Sequence, residues 1–361
     1  MRFKEFNTAW IHSKIGEICE IEMCKRIFSN QTNTIGGVPF YKIGTIGGKP
    51  DTWISQNLFN EYKDKYNYPK KGEILITCSG TVGKCIIFNG EDAYFQDSNI
   101  VWLANKSTVL NIFLFYIMNN IDWSYLNSTT ITRIYGSDLR NLDFYYPNNK
   151  NEQQKVTEFL SLIDKRIDTQ SKIIEDLECQ IKAISNILIS KTNGKVVALS
   201  EIAKIYQPET ITQSKFNENG KFPVFGANGL IGHYNFYNHE NAQICITCRG
   251  ATCGNVNLSL PKSWITGNSM VINTDECTRI NKMYLYYLLK NYNFKSIISG
   301  SGQPQIVREP ISAIKINLPI IQDQNKIVKI LNTYNELLRK EKDILELYKK
   351  QKAYLLKNMF I

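Results

Sequence analysis

One group of charged residues in the first part of the chain has the spacing of a metal-dependent nuclease. Pro50-Asp51 is followed by Glu61 and then by Lys63, with one residue between the last two. In such sites two carboxylates hold Mg²⁺ and a lysine positions the attacking water. The pattern is short, a basic protein of this length can contain it by chance, and the second half has no copy. A self-contained PD-(D/E)xK-like nuclease is therefore an alternative hypothesis, and a polar loop between strands is the preferred interpretation.

Three cysteines of the second half, Cys245, Cys248 and Cys253, lie close enough in sequence to raise the question of zinc. Two histidines, at positions 233 and 239, could complete such a site. However, Cys248 aligns with Cys78 and Cys245 with Leu75 when the two halves are compared, which indicates apolar strand positions. Nine scattered cysteines favour reduced, buried thiols over a disulfide framework. We expect neither a metal site nor a Cys–His nucleophile.

The motifs of two nucleotide-dependent chemistries are missing from the sequence. A DNA methyltransferase holds its flipped base with two adjacent prolines beside an aromatic residue, and the ten prolines here are never adjacent. A phosphate-binding loop needs G-x-x-x-x-G-K-[S/T]. Gly83-Lys84-Cys85 and Gly48-Lys49-Pro50 come near, but the leading glycine and the hydroxyl residue are absent. We therefore expect this chain to bind no cofactor of its own.

Composition favours a water-soluble protein with several domains. The chain has 361 residues, 43% of them hydrophobic, and no apolar run of membrane-spanning length. Its start lacks the apolar core of a signal peptide, so a cytoplasmic location without membrane association is expected. The net charge of +10 is spread along the chain and is compatible with contacts to nucleic-acid phosphates.

The sequence contains the same arrangement twice, a globular stretch followed by a long amphipathic helix. A repeat of this length indicates a duplicated domain rather than a solenoid. The segments that align, in the same order along the chain, are 14–18 with 198–202, 38–41 with 222–225, 74–80 with 244–250, and Pro147 plus 152–156 with Pro319 plus 323–327. A protein built as two related halves suits a target that has two half-sites.

Two long segments, 151–190 and 321–359, are predicted to be helices. Their apolar residues recur every three or four positions and form one stripe on each. A lone helix of this length with one apolar stripe needs a partner, and the most economical partner is its own copy in an antiparallel, coiled-coil-like pair. The residues expected to pack between the two helices are Ile163, Ile167, Ile174, Leu177, Ile184, Leu331, Leu338, Leu345, Tyr348 and Leu355.

These elements define an α+β fold with a pseudo-two-fold internal repeat, in which two mixed α/β domains are separated by two long antiparallel helices. The expected order is a domain over residues 1–150, a helix over 151–192, a second domain over 193–319 and a second helix over 320–361. Within the domains, shorter helices are predicted at 109–121 and 282–291.

The loops of the two domains carry side chains suited to DNA. Arginine reads guanine in the major groove and asparagine or glutamine reads adenine, whereas Ser, Thr and Lys near glycines grip phosphates. The candidates in the first domain are Lys42, Thr45, Lys49, Ser79, Thr81, Lys84, Arg133 and Tyr135. Those in the second are Asn228, His233, Tyr234, Arg249, Thr252, Asn268, Gln303, Gln305 and Arg308. A solvated loop explains any single one of them equally well, but the repeated set favours nucleic-acid binding.

Over nearly its whole length the chain resembles the specificity (S) subunits of type I restriction-modification systems. The residues that carry the resemblance are FPVFGANGLIG at 222–232, ITCRG at 246–250 followed by Gly254, TGNS at 266–269, SGSGQPQI at 299–306, and Leu318-Pro319 leading to Asp323-Gln324 and Lys326-Ile327 at the entry to the second long helix. The first domain departs more: Arg133 stands where Gln305 does, and Ile131-Thr132 replaces the Gln-Pro pair. Divergence between the domains is what two different half-sites require.

The resemblance implies a non-catalytic DNA-recognition subunit with two target-recognition domains. Such a subunit reads a bipartite, asymmetric target in double-stranded DNA, with the helix pair as a ruler. Two methyltransferase (modification) subunits would bind S-adenosylmethionine and methylate adenine N6, and two restriction subunits would add Mg- and ATP-dependent cleavage. Besides the nuclease hypothesis, a non-catalytic helical scaffold or RNA-binding module stays open as an alternative.

Overall fold

The computed structural model describes residues 2–126, 133–300 and 302–360; Ile131, Thr132 and Ser301, quoted above, lie outside the described residues. The chain divides into two compact units. Unit 1 consists of Met1–Thr169 with Leu345–Ile361, and unit 2 of Gln170–Ile344. Each long helix therefore begins in one unit and ends in the other.

Unit 1 has ten strands and four short helices before the first long helix in its described residues. The strands are β1 Ile11–Lys14, β2 Cys19–Glu22, β3 Thr32–Asn33, β4 Val38–Tyr41, β5 Trp53–Ile54, β6 Ile74–Thr77, β7 Cys85–Ile87, β8 Tyr94–Phe95, β9 Ile100–Asn105 and β10 Asp143–Tyr146. The helices are α1 Ile15–Ile18, α2 Gln56–Lys65, α3 Asn111–Asn119, α4 Gly136–Arg140 and the long α5 Lys150–Lys191.

Three small sheets organise unit 1. The largest has the order β2-β9-β6-β7, a second has β3-β5-β4-β8, and β1 pairs with β10. Strand β6 is buried on both faces, since all four of its residues, Ile74 to Thr77, are inaccessible. One core lies between this sheet, α3 and the long helices, and a second lies on the other side around Tyr94 and Trp102.

Unit 2 repeats these elements in the same order, except that β3 and α2 have no counterpart and a 3-10 turn, Leu199–Glu201, stands in place of α1. Its strands are β11 Lys195–Ala198, β12 Lys204–Tyr206, β13 Phe222–Gly226, β14 Gly229–Tyr234, β15 Ile244–Thr247, β16 Val256–Leu258, β17 Trp264–Ile265, β18 Ser269–Asn273 and β19 Lys315–Leu318. Its helices are α6 Lys282–Lys290, α7 Arg308–Ser312 and the long α8 Ile321–Met359.

The sheet topology of unit 2 matches that of unit 1. The order β12-β18-β15-β16 corresponds to β2-β9-β6-β7, and the pair β11-β19 corresponds to β1-β10. The parallel pair β13-β17 corresponds to the parallel pair β4-β8. The predicted α+β fold with an internal repeat is therefore confirmed.

The long helices α5 and α8 pack together, as predicted, in opposite directions. Within unit 1, Asp164 of α5 pairs with Lys352 of α8 at 2.5 Å. Within unit 2, Glu178 of α5 pairs with Lys342 of α8 at 2.6 Å. Among the ten residues expected to pack on this face, five are buried and five are half-buried. The buried ones are Ile163, Ile174, Leu177, Leu331 and Leu355, with Ile167, Ile184, Leu338, Leu345 and Tyr348 half-buried.

A buried glutamine in the first turn of each long helix fixes that helix to its own unit. Gln153 is fully buried; its side chain accepts a hydrogen bond from the Leu110 amide at 2.7 Å and donates to the Pro147 carbonyl at 2.8 Å. In unit 2 the fully buried Gln324 accepts from the Asn281 amide at 2.7 Å and donates to the Pro319 carbonyl at 2.8 Å. One amide side chain thus joins three segments of backbone in each unit.

The residue before this glutamine differs between the units. Glu152 is fully buried and accepts two hydrogen bonds from the Arg2 guanidinium, at 2.6 and 2.8 Å, and one from the Trp10 indole at 3.0 Å. Among the described residues, the side chain of its counterpart Asp323 pairs only with Lys326, one turn further along. A buried carboxylate needs such compensation. In unit 1, Arg2 and Trp10 supply it and thereby fix their own segment to α5, and unit 2 has no equivalent contact at Asp323 among the described residues.

Replacement of either glutamine should loosen one unit and not the other. Gln153→Ala leaves the Leu110 amide and the Pro147 carbonyl without partners in a dry site, which costs about 1–3 kcal/mol. Hydrogen exchange followed by mass spectrometry should show faster exchange in the peptide containing Leu110 and no change around Asn281. Gln324→Ala should give the reverse pattern.

Gln154→Ala is the matched control, because Gln154 is exposed and its amide bonds only to Glu158 on the same helix. Equal exchange at Leu110 in the Gln153→Ala and Gln154→Ala proteins would contradict the anchoring role.

Candidate nucleic-acid interface

In unit 2, a hydrogen-bonded cluster joins the end of β15 to the turn of the β13–β14 hairpin. The buried Thr247 hydroxyl donates to the Ala227 carbonyl at 2.6 Å. In the same turn, the exposed Asn228 donates through its side-chain amide to the Thr252 hydroxyl at 2.8 Å. Two candidates from separate loops, Asn228 and Thr252, are therefore in contact.

The residue after Cys248 forms an isolated antiparallel bridge with a distant segment. Arg249 pairs with Gln305 across this bridge. The Cys248 carbonyl accepts from the Ile306 amide at 3.0 Å, and the Cys248 amide donates to the Asn268 carbonyl at 3.2 Å. Arg249, Gln305 and Asn268 are all exposed. The loop that follows β15 thus gathers five candidates, Asn228, Arg249, Thr252, Asn268 and Gln305, at one edge of the unit.

The other candidates of unit 2 do not join this cluster. His233 and Tyr234 lie on β14, where they pair with Pro223 and Phe222, so His233 is roughly 13 Å along the strand from the hairpin turn. Tyr234 packs edge-on against Trp264, with ring centroids 5.3 Å apart. Gln303 is exposed in the loop before the bridge, and Arg308 is the exposed first residue of α7.

Unit 1 has the same edge, built from the end of β6. Ser79 pairs with Arg133 across an isolated antiparallel bridge, and the Ile134 amide donates to the Cys78 carbonyl at 2.8 Å. The Ser79 hydroxyl donates to the side chain of Asn99 at 2.7 Å. The Arg133 guanidinium donates to the Ser98 carbonyl at 3.3 Å and lies 5.8 Å from the centroid of the Tyr135 ring.

In unit 1, two of the candidate lysines form hydrogen bonds within the protein, which the sequence did not indicate. Lys84 donates to the Ile46 carbonyl at 2.6 Å, and Lys42 donates to the Thr52 hydroxyl at 2.5 Å. Thr45 accepts a hydrogen bond from the Lys42 amide, which closes a tight turn. Lys49 and Thr81 are exposed on neighbouring loops. These contacts hold the loop 42–49 against β7 and leave fewer free cations on this surface than expected.

Sequence reasoning missed Asn99. Its carbonyl accepts from the Cys78 amide at 2.8 Å, as the Asn268 carbonyl does from Cys248 in unit 2. Both asparagines stand directly before the strand that pairs with β6 or β15. An alignment of the two halves extended to this strand would have found Asn99 as the counterpart of Asn268.

The three residues of the nuclease pattern, Asp51, Glu61 and Lys63, do not form a shared site. The Asp51 carboxylate accepts from the Thr52 hydroxyl at 2.6 Å, which lowers the pKa of Asp51, and it also pairs with Lys42. Glu61 pairs with Lys65 at 3.0 Å, and Lys63 pairs with Asp92 at 3.2 Å. The three side chains thus have separate polar partners instead of a shared site.

Cys245, Cys248 and His239 are buried inside unit 2. Cys245 and Cys248 are buried in or beside β15. Burial raises the pKa of Cys245 to about 12 and that of Cys78 to about 11. The buried His239 ring bonds to the Tyr206 hydroxyl at 2.9 Å and to Asn238 at 2.6 Å, and desolvation lowers its pKa. The part of the chain that the structure describes contains no group of three His, Cys, Asp or Glu side chains arranged for a metal.

A comparison with family models shows to which protein family this chain belongs. The model for the type I restriction modification DNA specificity domain matches twice, over residues 7–179 and 192–347. The chain belongs to this family. The two matches coincide with the two copies of the repeat, and the resemblance inferred from sequence motifs is confirmed.

Individual specificity subunits resemble the chain over different shares of its length. It is 46% identical over 170 residues to a putative type I restriction enzyme specificity subunit, S.HindORF215P, of Haemophilus influenzae; the match covers 47% of this chain and 43% of the relative. It is 26% identical to the EcoprrI specificity subunit of Escherichia coli, over 41% of this chain and 37% of the relative. The chain thus spans less than half the length of these two curated relatives.

A solved structure supports the architecture of this specificity-domain protein. The S subunit of a type I restriction-modification system from Mycoplasma genitalium superposes with a TM-score of 0.61 at 22% identity, over 100% of this chain and 99% of that one. A likeness at this identity concerns the fold. Within the described residues, no helix of this specificity-domain protein is long and apolar enough to cross a membrane.

Thiol labelling checks the structural role of the cysteines. At pH 8 the exposed Cys179 should react with a disulfide reagent at the rate of an ordinary thiol. Because the raised pKa keeps Cys78 and Cys245 protonated, they should react at least roughly 100-fold more slowly. All three should react alike in denaturant. Rapid labelling of Cys245 in the native protein would contradict its burial and reopen the question of a reactive thiol.

Proposed function

We propose that this protein is the DNA-recognition subunit of a type I restriction-modification complex. The observation that carries the proposal is the polar edge that recurs in both units, after β6 and after β15, on equivalent backbone bridges but with different side chains. Equal scaffolds with unequal side chains suit the reading of two unlike half-sites. Membership in the DNA specificity family supports the same function.

The proposed target is a bipartite, asymmetric sequence in double-stranded DNA. Residues 1–150 and 193–319 act as target-recognition domains, and the helices over 151–192 and 320–361 act as the spacer that sets the distance between half-sites. In each domain, Arg, Asn and Gln side chains contact base edges, and Ser, Thr, Lys and Tyr side chains contact phosphates. The net charge of +10 supports the affinity for the DNA backbone.

In this proposal the chemistry belongs to partner subunits. Two modification subunits bind S-adenosylmethionine and methylate adenine N6 in each half-site, and two restriction subunits supply the Mg- and ATP-dependent cleavage. This chain binds none of these cofactors. Its place of action is the cytoplasm, where the host DNA is.

Exposed apolar residues on the long helices support a docking role. In unit 1, Leu347 and Tyr354 of α8 are seven residues apart, which puts both on one side of the helix, and they are 63% and 59% exposed. In unit 2, Ile330 and Leu337 of α8 have the same spacing and are 41% and 43% exposed. We propose that each pair contacts one modification subunit, because the two pairs lie in different units and the proposed complex has two copies of this partner.

Substitution of one docking pair should remove one modification subunit. Leu347→Ser with Tyr354→Ser removes apolar contact area in unit 1 while leaving the core face of α8 intact. Native mass spectrometry of the co-purified complex should then show one modification subunit per chain instead of two. Lys350→Ser with Lys357→Ser, exposed residues at the same spacing on the same helix, should keep two. Loss of both subunits, or of none, would contradict the assignment of one pair to one partner.

Deletion of the gene tests the function as a whole. A map of methylated adenines across the host genome should lose one bipartite motif when the gene is deleted and regain it when the gene is restored. The motif would give both half-sites and the length of the spacer. If the purified full chain with its modification subunit methylates no bipartite sequence in genomic DNA, the proposed function is wrong.

A further inference from the structure

The isolated bridges of the two units place different side chains on one backbone geometry. In unit 1 the bridge joins Ser79 to Arg133, and in unit 2 it joins Arg249 to Gln305. The carbonyl before the first bridge residue accepts from the amide after the second in both units, at 2.8 Å from Ile134 and at 3.0 Å from Ile306. Ser79 is therefore the counterpart of Arg249, and Arg133 is the counterpart of Gln305.

One arginine is present in each bridge, but on opposite sides. It stands on the later segment in unit 1 and on the earlier segment in unit 2. Facing residues of an antiparallel bridge have Cβ atoms only about 4.5–5.5 Å apart, so the two side chains of a bridge reach neighbouring positions on a ligand. Moving the arginine across the bridge shifts its guanidinium by about that distance, which is comparable with the roughly 3.4 Å rise between base pairs.

The chemistry of these side chains corresponds to base edges. Arginine donates two parallel hydrogen bonds to O6 and N7 of guanine, and glutamine pairs with N6 and N7 of adenine. The serine side chain is short and distinguishes only weakly between bases. The bridge of unit 1 thus has one side chain that pairs specifically with a base edge, Arg133. The bridge of unit 2 has two such side chains next to each other, Arg249 and Gln305.

We infer that these bridge pairs determine the base preference of each half-site. Arg133 selects a guanine for unit 1, and Arg249 with Gln305 selects a guanine and an adjacent adenine for unit 2. The inference rests on the proposed DNA recognition and adds the residues that distinguish the two half-sites.

The two arginines are prepared for this role in different ways. Arg133 is half-buried, donates to the Ser98 carbonyl and lies against the Tyr135 ring, so its orientation is set before DNA binds. Arg249 is exposed, and the described residues give its guanidinium no hydrogen bond or ion pair. Its position comes from the backbone, because the neighbouring Gly250 amide donates to the Pro304 carbonyl at 2.9 Å.

Selection from a pool of duplexes with both half-sites randomised tests the inference. The full chain in complex with its modification subunits is incubated with the pool, and the bound DNA is sequenced. Arg133→Gln should reduce the preference for guanine at one position of one half-site by about 5- to 100-fold and leave the other half-site unchanged. Arg249→Gln should have the reciprocal effect, and it needs no repacking because Arg249 is exposed.

Two further variants separate base reading from charge. Arg133→Lys keeps the charge but replaces the planar, paired donors by a single ammonium group, so it should keep part of the guanine preference that Arg133→Gln loses. Arg140→Gln, an exposed arginine on α4 of the same unit, removes the same charge and should keep every preference.

The possible results are distinct. Unchanged preferences in both Arg133→Gln and Arg249→Gln, or an equal loss of affinity for all sequences, would overturn the inference, since each indicates a phosphate contact or no contact. Any of these results with a wild-type chain that still selects a bipartite sequence leaves the proposed function intact. A wild-type chain that selects no sequence would refute the proposed function itself.

Discussion

The fold depends on the burial of one amide side chain at the start of each long helix. Gln153 and Gln324 each satisfy a backbone amide directly before α3 or α6 and a carbonyl directly after β10 or β19. A buried polar group that loses its partner costs about 1–3 kcal/mol, so each side chain allows one arrangement of helix and domain. The orientation of each unit's polar edge relative to its own helix follows from this contact.

A second constraint fixes the polar edge itself. Cys78 and Cys248 are buried, and their backbone groups bond on one side to an asparagine and on the other to the segment that returns before α4 or α7. The residues directly after the cysteines therefore project from a segment that is held through backbone groups of the cysteines. Side chains at this edge can change without loss of these hydrogen bonds, so one scaffold can carry different side chains.

Local pattern in the sequence was sufficient for the repeat, the two long helices and two of the short ones, but the interpretation of Glu61 and Lys63 as part of a polar loop was wrong, because both lie on α2. Apolar spacing placed helices at 109–121 and 282–291, and the structure has them at Asn111–Asn119 and Lys282–Lys290. The contacts of the polar edge were harder to foresee, because Ser79 and Arg133 are far apart in sequence and only tertiary packing brings them together. For the same reason the pattern could not indicate that Lys84 would bond to the Ile46 carbonyl instead of facing solvent.

The two units differ in how many chain segments they need. Unit 2 is continuous, from Gln170 to Ile344, whereas unit 1 combines Met1–Thr169 with Leu345–Ile361. The apolar core of unit 1 includes Leu355, Leu356 and Met359 of α8. During synthesis, domains generally fold as their residues emerge from the ribosome. Unit 2 is therefore able to close first, and the earlier-made part of unit 1 keeps apolar surface exposed until the end of α8 arrives to cover it.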